Sequence, residues 1–186
     1  KRQDKVDQVA SNGLFVYALS YIAVAILGIL VVRPFYTMQT GVGQENILEL
    51  GVTYLSIVMV FSFGLFAQFI FERMLQATGR TVFTMISQMV GAIINIILDP
   101  ILIFGLFGFP KLGIAGAAVA TVAGQIIAAI IGCIYNMKKN PDVHVSFKGF
   151  RPNGKIIGEI YMIGVPSIIM QSIGSVMTTG MNLILM

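Results

Sequence analysis

One cysteine and one histidine occur in the 186 residues. A disulfide framework needs paired cysteines and a protein zinc site needs several Cys or His ligands, so both are excluded. Charge is equally scarce. Asp, Glu, Lys and Arg make up 11% of the chain, where soluble domains carry roughly a quarter. So few charges cannot cover the surface of a water-soluble body of this length, and the apolar excess must face lipid. Nucleophile and base pairs are also missing, which argues against an intramembrane hydrolase; the chain reads as no enzyme. The opening residues 1–7 are polar and charged, without the apolar core of a signal peptide. Lys1 in place of Met, and an apolar run that reaches Met186 with no closing charge, predict an internal fragment of a larger membrane protein.

Apolar sequence fills the space that charge leaves. Hydrophobic residues are 56% of the chain and the mean hydropathy is +0.88. Leu, Ile, Val and Phe are abundant and the 20 glycines follow no triplet, so disorder and collagen-like repeats are excluded as well. A spanning helix needs about 20 apolar residues to cross roughly 30 Å of hydrocarbon. Five runs qualify: 13–32, 50–71, 81–104, 113–137 and 160–186. They are continuous and lack the alternation of a transmembrane barrel, so all five are read as helices. The fold class is an all-α membrane protein, a polytopic helical bundle.

The net charge of +4 would suggest a nucleic-acid partner in a soluble chain, but its placement points to the lipid bilayer instead. Ten of the twelve basic residues fall in alternate connections. By the positive-inside rule these are cytoplasmic, giving 1–8, 73–80 and 138–158 an inward position in a multi-pass protein of the plasma (inner) membrane. The segment Glu45 to Glu49 and the turn around Lys111 then face outward. That second turn, 105–113, is short and punctuated by Gly105, Gly108, Pro110 and Gly113, so the third and fourth spans form a hairpin. The stretch 138–158 is polar, basic and rich in Pro and Gly, which reads as a linker between structural units 1–137 and 159–186.

Polar residues at membrane depth carry the functional signal. An ionisable group inside a spanning run costs several kcal/mol and normally faces the protein interior or a wet cavity. Asp99 is such a group, with Asn95 one turn before it and Gly91 and Gln88 on the same helical face. Pro100 removes a helical donor and frees the carbonyl of Ile96. Carboxylate, amide oxygen and carbonyl are hard ligands suited to Na⁺, and the carboxylate alone suffices for H⁺. The alternative is a helix that simply ends at Asp99. In the fourth span Gly116, Ala120 and Gly124 recur every four residues, which lets a neighbouring backbone approach closely. Thr121 sits one position off this stripe and, by itself, reads as a hydroxyl bonded back to its own helix. The fifth span puts Ser167, Gln171, Ser175, Thr178 and Asn182 on one face, for packing or for lining a cavity. Glu72 and Arg73, adjacent and therefore divergent, read as interfacial charges at the cytoplasmic end.

Asn95-Ile-Ile-Leu-Asp99-Pro100, followed by Ile-Phe-Gly-Leu-Phe-Gly-Phe-Pro110-Lys-Leu-Gly113-Ile-Ala-Gly116-Ala-Ala-Val-Ala-Thr121, resembles the fifth and sixth helices of the multidrug and toxic compound extrusion (MATE) transporters. Phe71-Glu-Arg-Met-Leu-Gln-Ala-Thr-Gly79-Arg-Thr81 is similar to the stretch after that family's fourth helix, and Gly164-Val-Pro166-Ser167 to the start of its seventh. The resemblance implies part of a two-lobe, twelve-helix transporter: helices three to six of the first lobe in 1–137, the interlobe linker in 138–158 and the first helix of the second lobe in 159–186. It also implies secondary active efflux of small organic, often cationic, compounds by Na⁺ or H⁺ antiport with alternating access. The coupling site then maps onto Asp99, Asn95 and Thr121, the same three being the Na⁺ ligands if Na⁺ is the ion. Gln88, Gln171 and Ser175 are expected to line the cavity. No cofactor besides the coupling ion is implied. Two alternatives are a lipid-linked oligosaccharide flippase of the same wider superfamily and a non-transporting membrane subunit. The flippase would favour a cavity dense in Arg and Lys, which these spans lack.

Overall fold

The computed structural model describes residues 2–39, 45–141 and 152–185. His144, Lys148 and Arg151, with the rest of residues 142–151 of the expected linker, lie outside the described residues. Among the described residues the fold is helical throughout: α1 (Arg2–Gln39), α2 (Glu45–Val60), α3 (Phe63–Ala77), α4 (Thr81–Phe104), a 3-10 turn (Leu106–Gly108), α5 (Ile114–Lys139) and α6 (Gly154–Leu185). α1, α4, α5 and α6 are each long and apolar enough to cross a membrane, and α2 with α3 meets the same measure of length and composition when the bent pair is taken together.

That bend corrects the expectation of one continuous helix over 50–71. Leu48–Val60 and Phe63–Ala77 meet at 48°. Ser62 turns its hydroxyl back onto the Met59 carbonyl, 2.7 Å away, and its own N–H reaches the same oxygen at 3.4 Å. This tightens the last turn of α2 and redirects the chain. Just past the bend, Gly64 lies against Ile126 of α5, where a Cβ would come within 2.8 Å of the Ile126 side chain. The break therefore follows from contact with α5.

α3, α4 and α5 form the packed core, joined by two tight reversals. α3 ends where Gly79 takes φ +76°, with the Arg80 N–H bonded to the Leu75 carbonyl at 2.8 Å. This left-handed position suits glycine because a side chain there would crowd the following carbonyl. α4 ends at Gly105, φ +73°, and the expected hairpin follows: the N–H groups of Leu112 and Gly113 bond to the carbonyls of Leu102 and Ile103. α4 continues through Pro100 to Phe104, so the helix does not end at Asp99.

The small-residue stripe faces α4. A Cβ on Gly116 would lie 2.5 Å from the Leu102 carbonyl oxygen, one on Gly124 would lie 2.7 Å from that of Gly91, and Ala120 between them is fully buried. α1 runs antiparallel to α3, with Tyr21 edge-on to Phe63 and Phe66, and Tyr17 edge-on to Phe66. At the far end of the core Arg80 donates to Asn140, Asn140 to Asn136, and Asn136 to the Phe71 and Gly132 carbonyls. The α3–α4 turn and the basic end of α5 thus meet at one end of the bundle.

α6 begins at Gly154, ahead of the expected 160, because Asn153 caps it: its side-chain oxygen accepts from the Lys155 N–H at 3.1 Å. α5 likewise extends to Lys139. Both ends of the predicted 138–158 linker are therefore helical. α6 packs against α1, where the Asn153 N–H bonds to Asn12 Oδ1 at 3.0 Å, and its membrane-length segment is otherwise exposed.

Candidate functional site

The site is built where α4 and α5 touch backbone to backbone. Gly91 and Gly124 face each other, and a Cβ on either would come within 3.0 Å of the other's carbonyl oxygen. Helix axes this close let short polar side chains meet across the interface. Asn95 Nδ2 donates to Thr121 Oγ1 at 3.4 Å, and the Thr121 hydroxyl donates to the Ala117 carbonyl at 2.9 Å. Thr121 therefore spends its proton on its own helix and offers a lone pair to Asn95. The hydroxyl bonds back to its own helix, as expected of a lone Thr, and also receives a bond from α4.

Asp99 lies one turn beyond Asn95 on α4. Its Oδ1 is buried and has no hydrogen-bond partner among the described residues. An unpartnered buried carboxylate oxygen is rare because it loses water without replacement. The Asn95 amide oxygen and the Thr121 hydroxyl, which accepts from Asn95, can act as acceptors as well. A buried carboxylate oxygen that receives no donor, one turn from an amide on the same helix, fits a proton or a small hard cation.

Gln88, Asn95 and Thr121 also border a cavity of about 270 Å³ between α3, α4 and α5, lined further by Gln68 and Gln125. Gln125 contributes a second orphan acceptor, a buried Oε1 with no partner. Gln88 shares the lining of this cavity with the Asn95–Thr121 pair, about two turns away along α4. The structure does not bring Gln171 and Ser175 there. Those two border an open groove along α6 together with Thr178, on an exposed face of that helix. The side chain of Asn182 lies outside the described set.

Glu72 is the residue that sequence reasoning misplaced. It is 2% exposed, not an interfacial charge. Oε1 accepts from Gln68 Nε2 at 2.8 Å and Oε2 from Gln88 Nε2 at 2.8 Å. Adjacent residues on a helix diverge by about 100°. Arg73 accordingly turns outward to Gln76 at 3.0 Å while Glu72 turns into the core. The available signal was Gln68, one helical turn before Glu72 and inside an apolar run.

Comparison with known proteins agrees with this architecture. The MatE family model matches residues 1–101. The multidrug export protein MepA of Staphylococcus aureus (strain bovine RF122 / ET3-1) is 34% identical over 151 residues, which is 80% of this chain and 33% of that protein. The probable multidrug resistance protein NorM of Bacillus cereus (strain ATCC 10987 / NRS 248) is 31% identical over 169 residues, covering 89% and 37%. The chain thus spans about a third of the length of these relatives. Among solved structures, a MATE protein in the bent conformation superposes with a TM-score of 0.79 at 23% identity, covering 89% of this chain and 36% of that one. An inward-facing MATE transporter of the MOP superfamily gives 0.77 at 23%, with coverage of 89% and 36%. With the family match spanning more than half of the sequence, the chain belongs to the multidrug and toxic compound extrusion family.

Proposed function

We propose that this chain forms helices three to seven of a two-lobe, twelve-helix exporter, with residues 1–137 in the first lobe, 138–158 as the cytoplasmic linker and 159–186 opening the second lobe. The exporter moves small organic, often cationic, compounds out across the plasma membrane in exchange for Na⁺ or H⁺. Asp99 is the coupling group and Asn95 and Thr121 position the ion. Gln88 lines the cavity between α3, α4 and α5, and Gln171 and Ser175 line the groove along α6, the two surfaces past which ion or substrate moves. The observation that carries this reading is the buried, unpartnered Oδ1 of Asp99 one turn from the Asn95–Thr121 pair. A bound proton or Na⁺ satisfies that oxygen, and its loss leaves a charge the site must hide or expose. The two states therefore favour different packings of the lobe. Because an ion can shift a two-state equilibrium only through differential affinity, the same group sets which way the transporter opens.

Asp99→Asn keeps the shape of the side chain and removes its charge. In proteoliposomes of the full-length transporter the variant is expected to fold and to bind an organic cation, but to lose efflux driven by an imposed Na⁺ or H⁺ gradient. Gradient-driven efflux at the wild-type rate, at equal protein content, would refute the assignment.

A further inference from the structure

Glu72 is not needed for the coupling site as described, yet the core is arranged around it. Its carboxylate is almost completely buried and both oxygens are met by amides, one from α3 and one from α4, not by a cation. The charged and titratable groups near this end of the elements packed on α3 are Arg80 ahead of α4, Tyr135, Lys138 and Lys139 on α5, and Asp7 and Tyr17 on α1; Arg73 is its neighbour on α3. None of these bonds to it. Arg80 reaches Asn140, Arg73 reaches Gln76, Tyr135 lies on Phe83, and the two lysines are exposed. A buried carboxylate without a cation is costly unless it can give up its charge.

The two amides that hold Glu72 also line the 270 Å³ cavity, whose other residues include Asn95, Thr121 and Gln125. Polar groups therefore recur from Glu72, through Gln68 and Gln88, past the orphan Gln125 Oε1, to the Asn95–Thr121 pair, one turn of α4 before Asp99. From Gln88 to Asp99 is eleven residues of α4, a rise of about 16 Å. The cavity has room for several waters, each occupying about 30 Å³ in the liquid, and the amides and hydroxyl on its walls supply them with partners. Glu72 lies at the end of this tract that is nearest the α3–α4 turn.

We propose that Glu72, held by Gln68 and Gln88, is a second proton-binding site that relays protons between Asp99 and the cytoplasm. The inference rests on the coupling role of Asp99 argued above and specifies H⁺ as the ion that passes. In the inward step the proton on Asp99 leaves through the cavity water, and one proton reaches Glu72 as Asp99 becomes a carboxylate. Glu72 then releases that proton at the α3–α4 end and returns to its charged form. One carboxylate is charged throughout the transfer itself, and both are charged only after Glu72 has released its proton at the α3–α4 end.

Dicyclohexylcarbodiimide, which modifies a protonated carboxyl in an apolar setting, tests the site in the unmodified full-length transporter. Peptide mass analysis is expected to find Glu72 labelled at acidic pH and much less so at alkaline pH; no labelling at any pH would overturn the proposal. Glu72→Gln should slow proton-gradient-driven efflux by about a hundredfold, the lower range for a positioned proton-transfer group, with organic-cation binding unchanged. Gln88→Leu, which leaves the carboxyl but removes one of its holders and the cavity's polar wall, should slow it in the same direction. Asp99→Asn run in parallel separates the two levels. Loss of efflux in Asp99→Asn with a wild-type rate in folded Glu72→Gln would sink the relay alone, whereas full efflux in Asp99→Asn would sink both. Efflux driven by Na⁺ without any response to pH would also overturn the relay.

Discussion

The contact between α4 and α5 both stabilises the lobe and aligns the site, and Gly124→Ala tests the two together. A methyl at Gly124 would sit 2.7 Å from the Gly91 carbonyl oxygen and 3.3 Å from Asn95 Cβ. The oxygen belongs to a helical backbone and cannot rotate aside. To restore a C···O separation of about 3.3 Å, the short end of ordinary contacts, the helices must part by roughly 0.6 Å. Overpacking of this kind costs about 1–3 kcal/mol. In mid-range that is about 2 kcal/mol, a roughly thirtyfold loss in the folding equilibrium. Gly116→Ala meets the Leu102 carbonyl at 2.5 Å, so it should cost at least as much, but it lies away from Asn95. Thermal unfolding of the purified full-length protein, followed by size-exclusion of heated samples, should show lower midpoints for both. Only Gly124→Ala should also weaken ion-driven efflux in the protein that survives, because it displaces the Asn95 side chain from Thr121. Val119→Leu, at a position 41% exposed, should melt like wild type. A wild-type midpoint for Gly124→Ala would refute the close approach of the two helices.

Other consequences follow from the same geometry. Cysteines introduced at Arg80 and at Lys111 should differ in labelling from outside the cell: position 111 reacts and position 80 does not, because the basic clusters lie inward. The reverse pattern would invert the topology. Asn136 donates to two carbonyls, at 2.8 and 2.9 Å, and is 7% exposed, so Asn136→Ala should lower thermal stability by about 1–3 kcal/mol through the stranded Phe71 and Gly132 acceptors. An unchanged midpoint would show that water replaces the amide. Gly79 at φ +76° has open space around its Cα, so Gly79→Ala should cost about 1–2 kcal/mol from backbone conformation alone and Gly79→Asn less. Equal costs for the two would point to a packing effect instead.

The spans were legible because hydropathy registers the cost of polar backbone in lipid over windows of about 20 residues. The Asp99 face was legible for the same reason, since an acid in such a run has few tolerable positions. The α2–α3 bend was not legible. No Pro interrupts 50–71, and the kink depends on Ser62 bonding backward and on Gly64 meeting Ile126, which is tertiary information. Glu72 was hidden by its neighbour: next to Arg73 it resembles an interfacial pair, and only the packing of α3 against α4 shows that Gln68 and Gln88 close around it. The start of α6 was written in Asn153, an N-cap residue that a composition reading absorbs into a Pro- and Gly-rich linker. Gln171 and Ser175 share a face as their spacing requires, but spacing alone cannot say what that face meets.

The most direct test of the coupling claim is whether substrate displaces the ion from Asp99. Adding an organic cation to the purified full-length transporter in weakly buffered detergent solution should release H⁺, or Na⁺ if the protein was loaded with it, as linkage between the two sites requires. Asp99→Asn should bind the same compound with no release. Release of equal size from Asp99→Asn, or none from the wild type, would contradict the account.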